Sequence, residues 1–158
     1  DKVPVHRYFD IAIRPHGLSE QLRSKAVIVR CGDHKPDNCG GSWKDGKIAT
    51  RVRNFGDYCI MTDTVAPSIV PVQFEENMRN KSEMAFRISD NFDVSGSADR
   101  MEYRGMVDDK WVLFEYDAKR ARLTHTFDGH IGPGEHLLKL TVSDDRRNKK
   151  VLERKFRR

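Results

Sequence analysis

His6 and Asp10 are the first residues along the chain whose types could do chemistry together. On a strand, residues four apart point to the same side, so this imidazole and carboxylate can converge on a metal ion. Zinc catalysis needs about three protein ligands plus an open position for water. The other histidines of the later chain, His125, His130 and His136, stand five and six residues apart. A polar strand face accounts for His6 and Asp10 without a metal, because they alternate with Phe9, Ile11 and Ile13. Cys31-x-x-His34-x4-Cys39 has a faint metal-knuckle spacing but lacks a fourth ligand nearby. Asp90, Asn91, Asp93, Asp144 and Asp145 could gather as oxygen ligands for calcium, yet turns use the same residue types to cap themselves. The expectation is a chain with no catalytic, cofactor-binding or metal-binding residues.

Nucleophilic and phosphate chemistry find no support either. There is no Gly-x-Ser-x-Gly elbow, Ser95-Gly96-Ser97 reads as a loop, and no glycine-rich cradle precedes a helix. His136 stands on the apolar face of a strand, which suits a hydrogen-bonded core histidine better than a base. Trp43 and Trp111 each lie beside a turn and are the candidates for surface binding, as a sugar-stacking platform. The competing use is an indole packed into a sandwich core. For Trp111 the following run, Val112-Leu113-Phe114, is apolar at both parities, which predicts a strand covered on both faces and a buried indole.

The elements that would hold these residues are short strands. Phe9, Ile11 and Ile13 share one face of the first, and Ala26-Val27-Ile28-Val29 is a β-branched run suited to burial on both sides. Leu18 to Ser24 could make one helical turn with Ser19 as cap, but it is too short to matter. Asp45-Gly46, between Trp43-Lys44 and Lys47-Ile48, is the best hairpin signal, since Asp-Gly supplies positive φ for a primed turn. Ile48 to Val52 and Tyr58 to Thr62 follow. Beyond Pro67 come alternating runs at Met84 to Ile88, Met101 to Val107, Trp111 to Tyr116 and Leu123 to Phe127. The last two are at His136 to Val142 and Val151 to Phe156. Strands at spacings of roughly ten residues with turn signals between them predict an antiparallel sandwich, an all-β fold. Asp63-Thr64-Val65-Ala66-Pro67 reads as a joint between two small β-sandwich modules of immunoglobulin or fibronectin type III kind, residues 1–64 and 65–158. The alternative is a bend inside one larger sandwich.

The composition sets the outer bounds. The 158 residues are 37% hydrophobic and 34% charged, with no apolar run long enough to span a membrane. Asp1-Lys2-Val3-Pro4 already resembles the approach to a strand, as in a mature product or an excised piece of something longer. The net charge of +5 is unevenly placed: in the final stretch Arg146, Arg147, Lys149, Lys150, Arg154, Lys155, Arg157 and Arg158 face Glu153 alone, and the rest of the chain is close to neutral. Such a block could bind nucleic acid, but only Phe156 interrupts it as a stacking surface, so a solvated final strand is expected and nucleic acid is not. Three cysteines are too few for a disulfide scaffold. A Cys31–Cys39 bridge fits an exported protein and would leave Cys59 as a buried thiol.

Several blocks in order carry a resemblance. They are Lys25 to Arg30, Gly40-Gly41-Ser42-Trp43-Lys44-Asp45-Gly46, Phe55-Gly56-Asp57-Tyr58, Asp63 to Ile69, Tyr103-Arg104-Gly105, Lys110 to Asp117 and Gly134 to Asp144. Together they resemble the region that follows the catalytic domain in lysostaphin-type (LytM-like) zinc metallopeptidases of Bacteroides-like bacteria. Asp108-Asp109 departs from the Asp-Gly, and Arg147-Asn148 from the Gly-Asn, that such blocks would carry. His6 to Asp10 spells the His-x-x-x-Asp half of that family's zinc site, but the peptidase domain itself is not in this sequence. The resemblance implies a non-catalytic region of a periplasmic or extracellular cell-wall peptidase, with zinc held only by the peptidase domain. Its implied partners are that domain, peptidoglycan or another envelope protein. A free-standing glycan- or protein-binding envelope module is the alternative.

Overall fold

The computed structural model describes residues 3–32, 36–92 and 101–158. The chain is all-β and divides into two compact units. One is built on Asp1–Val65 and also takes in Phe92; the other is built on Ala66–Asn91 and on the described residues from Met101 onward. The first unit therefore recovers a residue from far along the chain. Asn38, almost wholly buried, donates its Nδ2 to the Phe92 carbonyl at 3.0 Å and accepts the Gly40 N–H at 2.7 Å, so its amide is satisfied.

The first unit contains β1 (Val3–Ile13), β2 (Ala26–Arg30), β3 (Asp37–Asn38), β4 (Ser42–Lys44), β5 (Lys47–Phe55) and β6 (Tyr58–Thr62). They form two antiparallel three-stranded sheets, ordered β1-β5-β4 and β3-β2-β6. Ala26, Ile28 and Ile48 are the buried centre, with Ile11, Ile13, Trp43, Tyr58 and Ile60 against them. Lys44 pairs with Lys47 across the predicted turn, where Asp45 and Gly46 have φ of 49° and 71°, the geometry of a primed hairpin. The helical turn is a 3₁₀ segment, Glu20–Lys25, and Ser19 makes no side-chain cap bond.

The second unit contains β7 (Ser68–Gln73), β8 (Glu83–Ser89), β9 (Glu102–Val107), β10 (Lys110–Val112), β11 (Glu115–Asp117), β12 (Arg122–Thr126), β13 (Glu135–Ser143) and β14 (Lys149–Arg157). Its sheets are ordered β11-β12-β8-β7 and β10-β9-β13-β14. That is the strand order of an immunoglobulin-like sandwich, with β9, β13 and β14 as the C, F and G strands and β10 as an added C′. Met84, Phe86, Ile88 and Leu123 from one sheet meet Val107, Leu138, Leu140, Val142, Leu152 and Phe156 from the other in one core. The edge strands are β7, interrupted by Pro71 and a register shift, the three-residue β10 and β11, and the basic β14. Of β14 only Leu152 and Phe156 are buried, as a solvated final strand requires.

One expected strand is two. Trp111 to Tyr116 is split between sheets: β10 pairs with β9, and β11 pairs with β12 in the opposite sheet. Apolar residues at both parities here mark a chain crossing between sheets, not a strand covered on both faces. Gly105 permits the crossing, because a Cβ there would fall inside the space taken by the Phe114 ring. Phe114 thus enters the core, near Phe86 and His125 at centroid distances of 6.1 and 5.6 Å.

Candidate functional surface

The consequence for Trp111 reverses the expectation. It is 61% exposed and Leu113 is 56% exposed, because Phe114 holds the buried position that the indole was expected to take. The antiparallel register lines Trp111 up with Met106, then Lys139, then Glu153 across the outer face of the sheet. Lys139 Nζ lies 3.2 Å from the Glu153 carboxylate at the far end of that row. The neighbouring row runs Arg104, Thr141, Val151, and on the other side Leu137 stands opposite Lys155. Leu137 and Val151 are exposed apolar side chains, and Met106 is half-buried. The face therefore offers a flat aromatic ring, scattered aliphatic groups, and cationic and anionic hydrogen-bonding groups at the sheet's regular spacing.

The turn of the β9–β10 hairpin is held by a polar cluster. Asp108 accepts the Leu137 N–H on Oδ1 at 2.9 Å and meets His136 Nδ1 through Oδ2 at 2.6 Å. His136 Nε2 faces the Gly132 carbonyl at 2.9 Å. Both ring nitrogens thus face acceptors, and the ring lies 5.4 Å from Phe156 with its side chain only 13% exposed. This is a hydrogen-bonded structural histidine, as read from its strand position. The His136 hydrogen bond, then the Leu137 N–H, hold the Asp108 carboxyl below its usual range.

Trp43 is not a comparable surface. Its Nε1–H donates to the Arg23 carbonyl at 2.7 Å, and the Arg23 guanidinium covers the ring at 4.5 Å from its centroid. The indole is half-buried against the first unit's core, and its outer face is already used by a cation.

The remaining expected sites are placed as follows. Of the oxygen ligands considered for calcium, the structure brings the Asp90 and Asp144 carboxylates within 4.8 Å of one another. His6 and Asp10 are both exposed, and the Asp10 carboxylate lies 3.5 Å from Arg51 Nε. Cys31 does not meet Cys39: its sulfur is 2.8 Å from that of Cys59. Cys39 packs toward Ile28 and donates weakly to the Asp37 carbonyl at 3.5 Å, with burial pushing its thiol up. Asp144 caps its own turn, accepting the Arg146 and Asn148 N–H groups at 2.8 Å on Oδ1 and Asn148 Nδ2 at 2.7 Å on Oδ2. Asp145 pairs with Arg146 at 3.0 Å. His34, Asp93, Ser95, Gly96 and Ser97 lie outside the described residues. Met106, Arg104 and Lys139 were not singled out from the sequence, because only strand register brings them beside Trp111.

The sequence model of one family, the Zu5-like domain, matches residues 1–63, less than half of the chain and all within the first unit. That part of the chain is similar to Zu5-like domains. No curated protein matches the sequence. No helix among the described residues is long and apolar enough to cross a membrane.

Proposed function

We propose that the chain is a non-catalytic binding module of the cell envelope, periplasmic or extracellular, that holds peptidoglycan against the outer face of the β10-β9-β13-β14 sheet. In this reading it belongs to the region that follows the catalytic domain of a lysostaphin-type metallopeptidase, as the resemblance implies, and keeps that domain on its substrate. The single observation that carries the binding role is the exposed Trp111 indole on a regular, otherwise solvated sheet face. A sugar ring presents an apolar C–H face that stacks on an indole and a rim of hydroxyls that seek charged partners. Arg104 on the next strand, and Lys139 and Glu153 two and three strands further along the same face, supply such partners. Peptide stems of the wall add carboxylates, which Arg104 and Lys155 would attract.

The test is co-sedimentation of the chain with purified, protein-free peptidoglycan sacculi, for the native chain and Trp111→Ala. Binding should weaken at least about tenfold in the variant, with the melting temperature nearly unchanged because the ring is exposed. Equal binding by both proteins would overturn the assignment of this face. A second reading is that the face docks onto a protein, such as the peptidase domain of the same parent chain. Trp111 beside Arg104 of the adjacent strand favours it, since tryptophan and arginine are enriched among the residues that dominate protein contacts. Retention of Trp111-dependent binding to that domain, with none to sacculi, would select it.

A further inference from the structure

The first unit carries a pair of sulfurs that its strand register brings together. Cys59 on β6 stands opposite Val29 on β2, and the next bond of the ladder runs from the Cys31 N–H to the Asp57 carbonyl at 2.8 Å. Residues 29 and 31 share one face of an extended chain, so Cys31 and Cys59 project on the same side, one step apart along the diagonal. Their sulfurs are 2.8 Å apart, less than an ångström beyond a disulfide bond of about 2.05 Å. Cys39 is placed otherwise. It follows β3, donates its backbone N–H to the Ile28 carbonyl, and packs with Ala26, Ile28 and Ile48, the residues of β2 and β5 that face the other way.

We infer that Cys31 and Cys59 form an intrachain disulfide when the folded protein meets a small-molecule or protein disulfide as oxidant, and that Cys39 stays a thiol. Cys31 is the exposed member and the attacking group. Its thiolate attacks one sulfur of the oxidant, the oxidant's S–S bond breaks, and one thiolate leaves. The Cys59 thiol is held protonated, pushed up to about 11 by burial and by its hydrogen bond to Cys31. That hydrogen bond keeps it beside the Cys31 sulfur until the first step has consumed the thiolate. Cys59 then loses its proton to the departing thiolate or to solvent and attacks the Cys31 sulfur of the mixed disulfide. The Cys31–Cys59 bond forms and the second oxidant thiolate leaves. The protein loses two protons and two electrons, and one oxidant disulfide becomes two thiols. The bridge closes a loop containing β3, β4 and β5 without rearranging the ladder that already joins β2 to β6. The inference does not depend on what the Trp111 face binds.

The full chain, reduced and then incubated with oxidised glutathione, should be quenched by alkylation, digested without reductant and mapped by mass spectrometry. A peptide joining Cys31 to Cys59, with Cys39 alkylated, is expected. The oxidised protein should melt at least about 5 °C above the reduced one. Cys39→Ser should behave identically, whereas Cys31→Ser and Cys59→Ser should each lose the cross-link. A cross-link through Cys39, three alkylated thiols after oxidation, or a glutathione adduct that persists on Cys31 would overturn the inference.

Discussion

The two tryptophans sit beside turns of nearly the same geometry and meet opposite fates. Asp45-Gly46 and Asp108-Asp109 both hold two successive positive φ angles, 49° and 71° against 48° and 61°. Trp43 precedes the first turn by two residues and Trp111 follows the second by two. What differs is what lies across from each indole. Beside β4 stands the 3₁₀ segment Glu20–Lys25, which supplies both a carbonyl and a guanidinium to Trp43. Beside β10 the glycine at position 105 admits Phe114 instead, and the core closes without Trp111. The turn residue types set the hairpins; the neighbours decide which indole is structural.

Removing Phe114 tests this contrast most severely. Phe114→Ala should cost about 3–5 kcal/mol, the usual loss for a buried phenylalanine, and chemical denaturation would read it directly. A cost below about 1 kcal/mol would mean that Phe114 does not fill the core. Trp43→Ala comes next. It should cost about 2–3 kcal/mol for a half-buried aromatic, while Trp43→Phe should lose only about 1 kcal/mol with the Arg23 hydrogen bond. Equal losses from both would show that the ring's packing contributes nothing.

The second hairpin also carries a pH dependence. The folded Asp108 carboxyl titrates below its unfolded value, so it contributes stability above about pH 4 that is lost as pH falls through the lowered value. Asp108 is half exposed, so solvent screens the effect and it should be modest. Asp108→Asn should flatten the acid limb of a melting-temperature profile, and an unchanged limb would remove Asp108 from the account. The gentlest test is Asp109→Gly. An L-residue is held there at φ of 61°, and glycine should relieve about 0.5–1 kcal/mol, read as a small rise in melting temperature.

The alternation of Phe9, Ile11 and Ile13, the Asp45-Gly46 hairpin and the His136 to Val142 face could be read directly, because each depends on residues close in sequence. Trp111 could not, because its exposure rests on Gly105, a residue on another strand whose missing side chain redirects Phe114. Cys31 and Cys59 were separated by the same kind of distance: only the β2–β6 register shows that they share a face. The short turn at Glu20–Lys25 looked inconsequential alone and matters through Trp43. The binding face is made by register across β10, β9, β13 and β14, so no contiguous stretch could announce it.

The four edges of the second unit carry a consequence for how it lives beside other chains. An open sheet edge is a row of unspent donors and acceptors that another polypeptide can adopt as its own continuation. Here β7 lacks a donor at Pro71 and breaks its register, while β10 and β11 have three residues each and provide little to extend. β14, the longest edge, presents Lys149, Lys150, Arg154 and Lys155, so two such edges repel. Crowded copies of this domain are thereby denied the route that leads from edge pairing to fibrils. A partner that reads it is thereby steered toward a face rather than toward an edge.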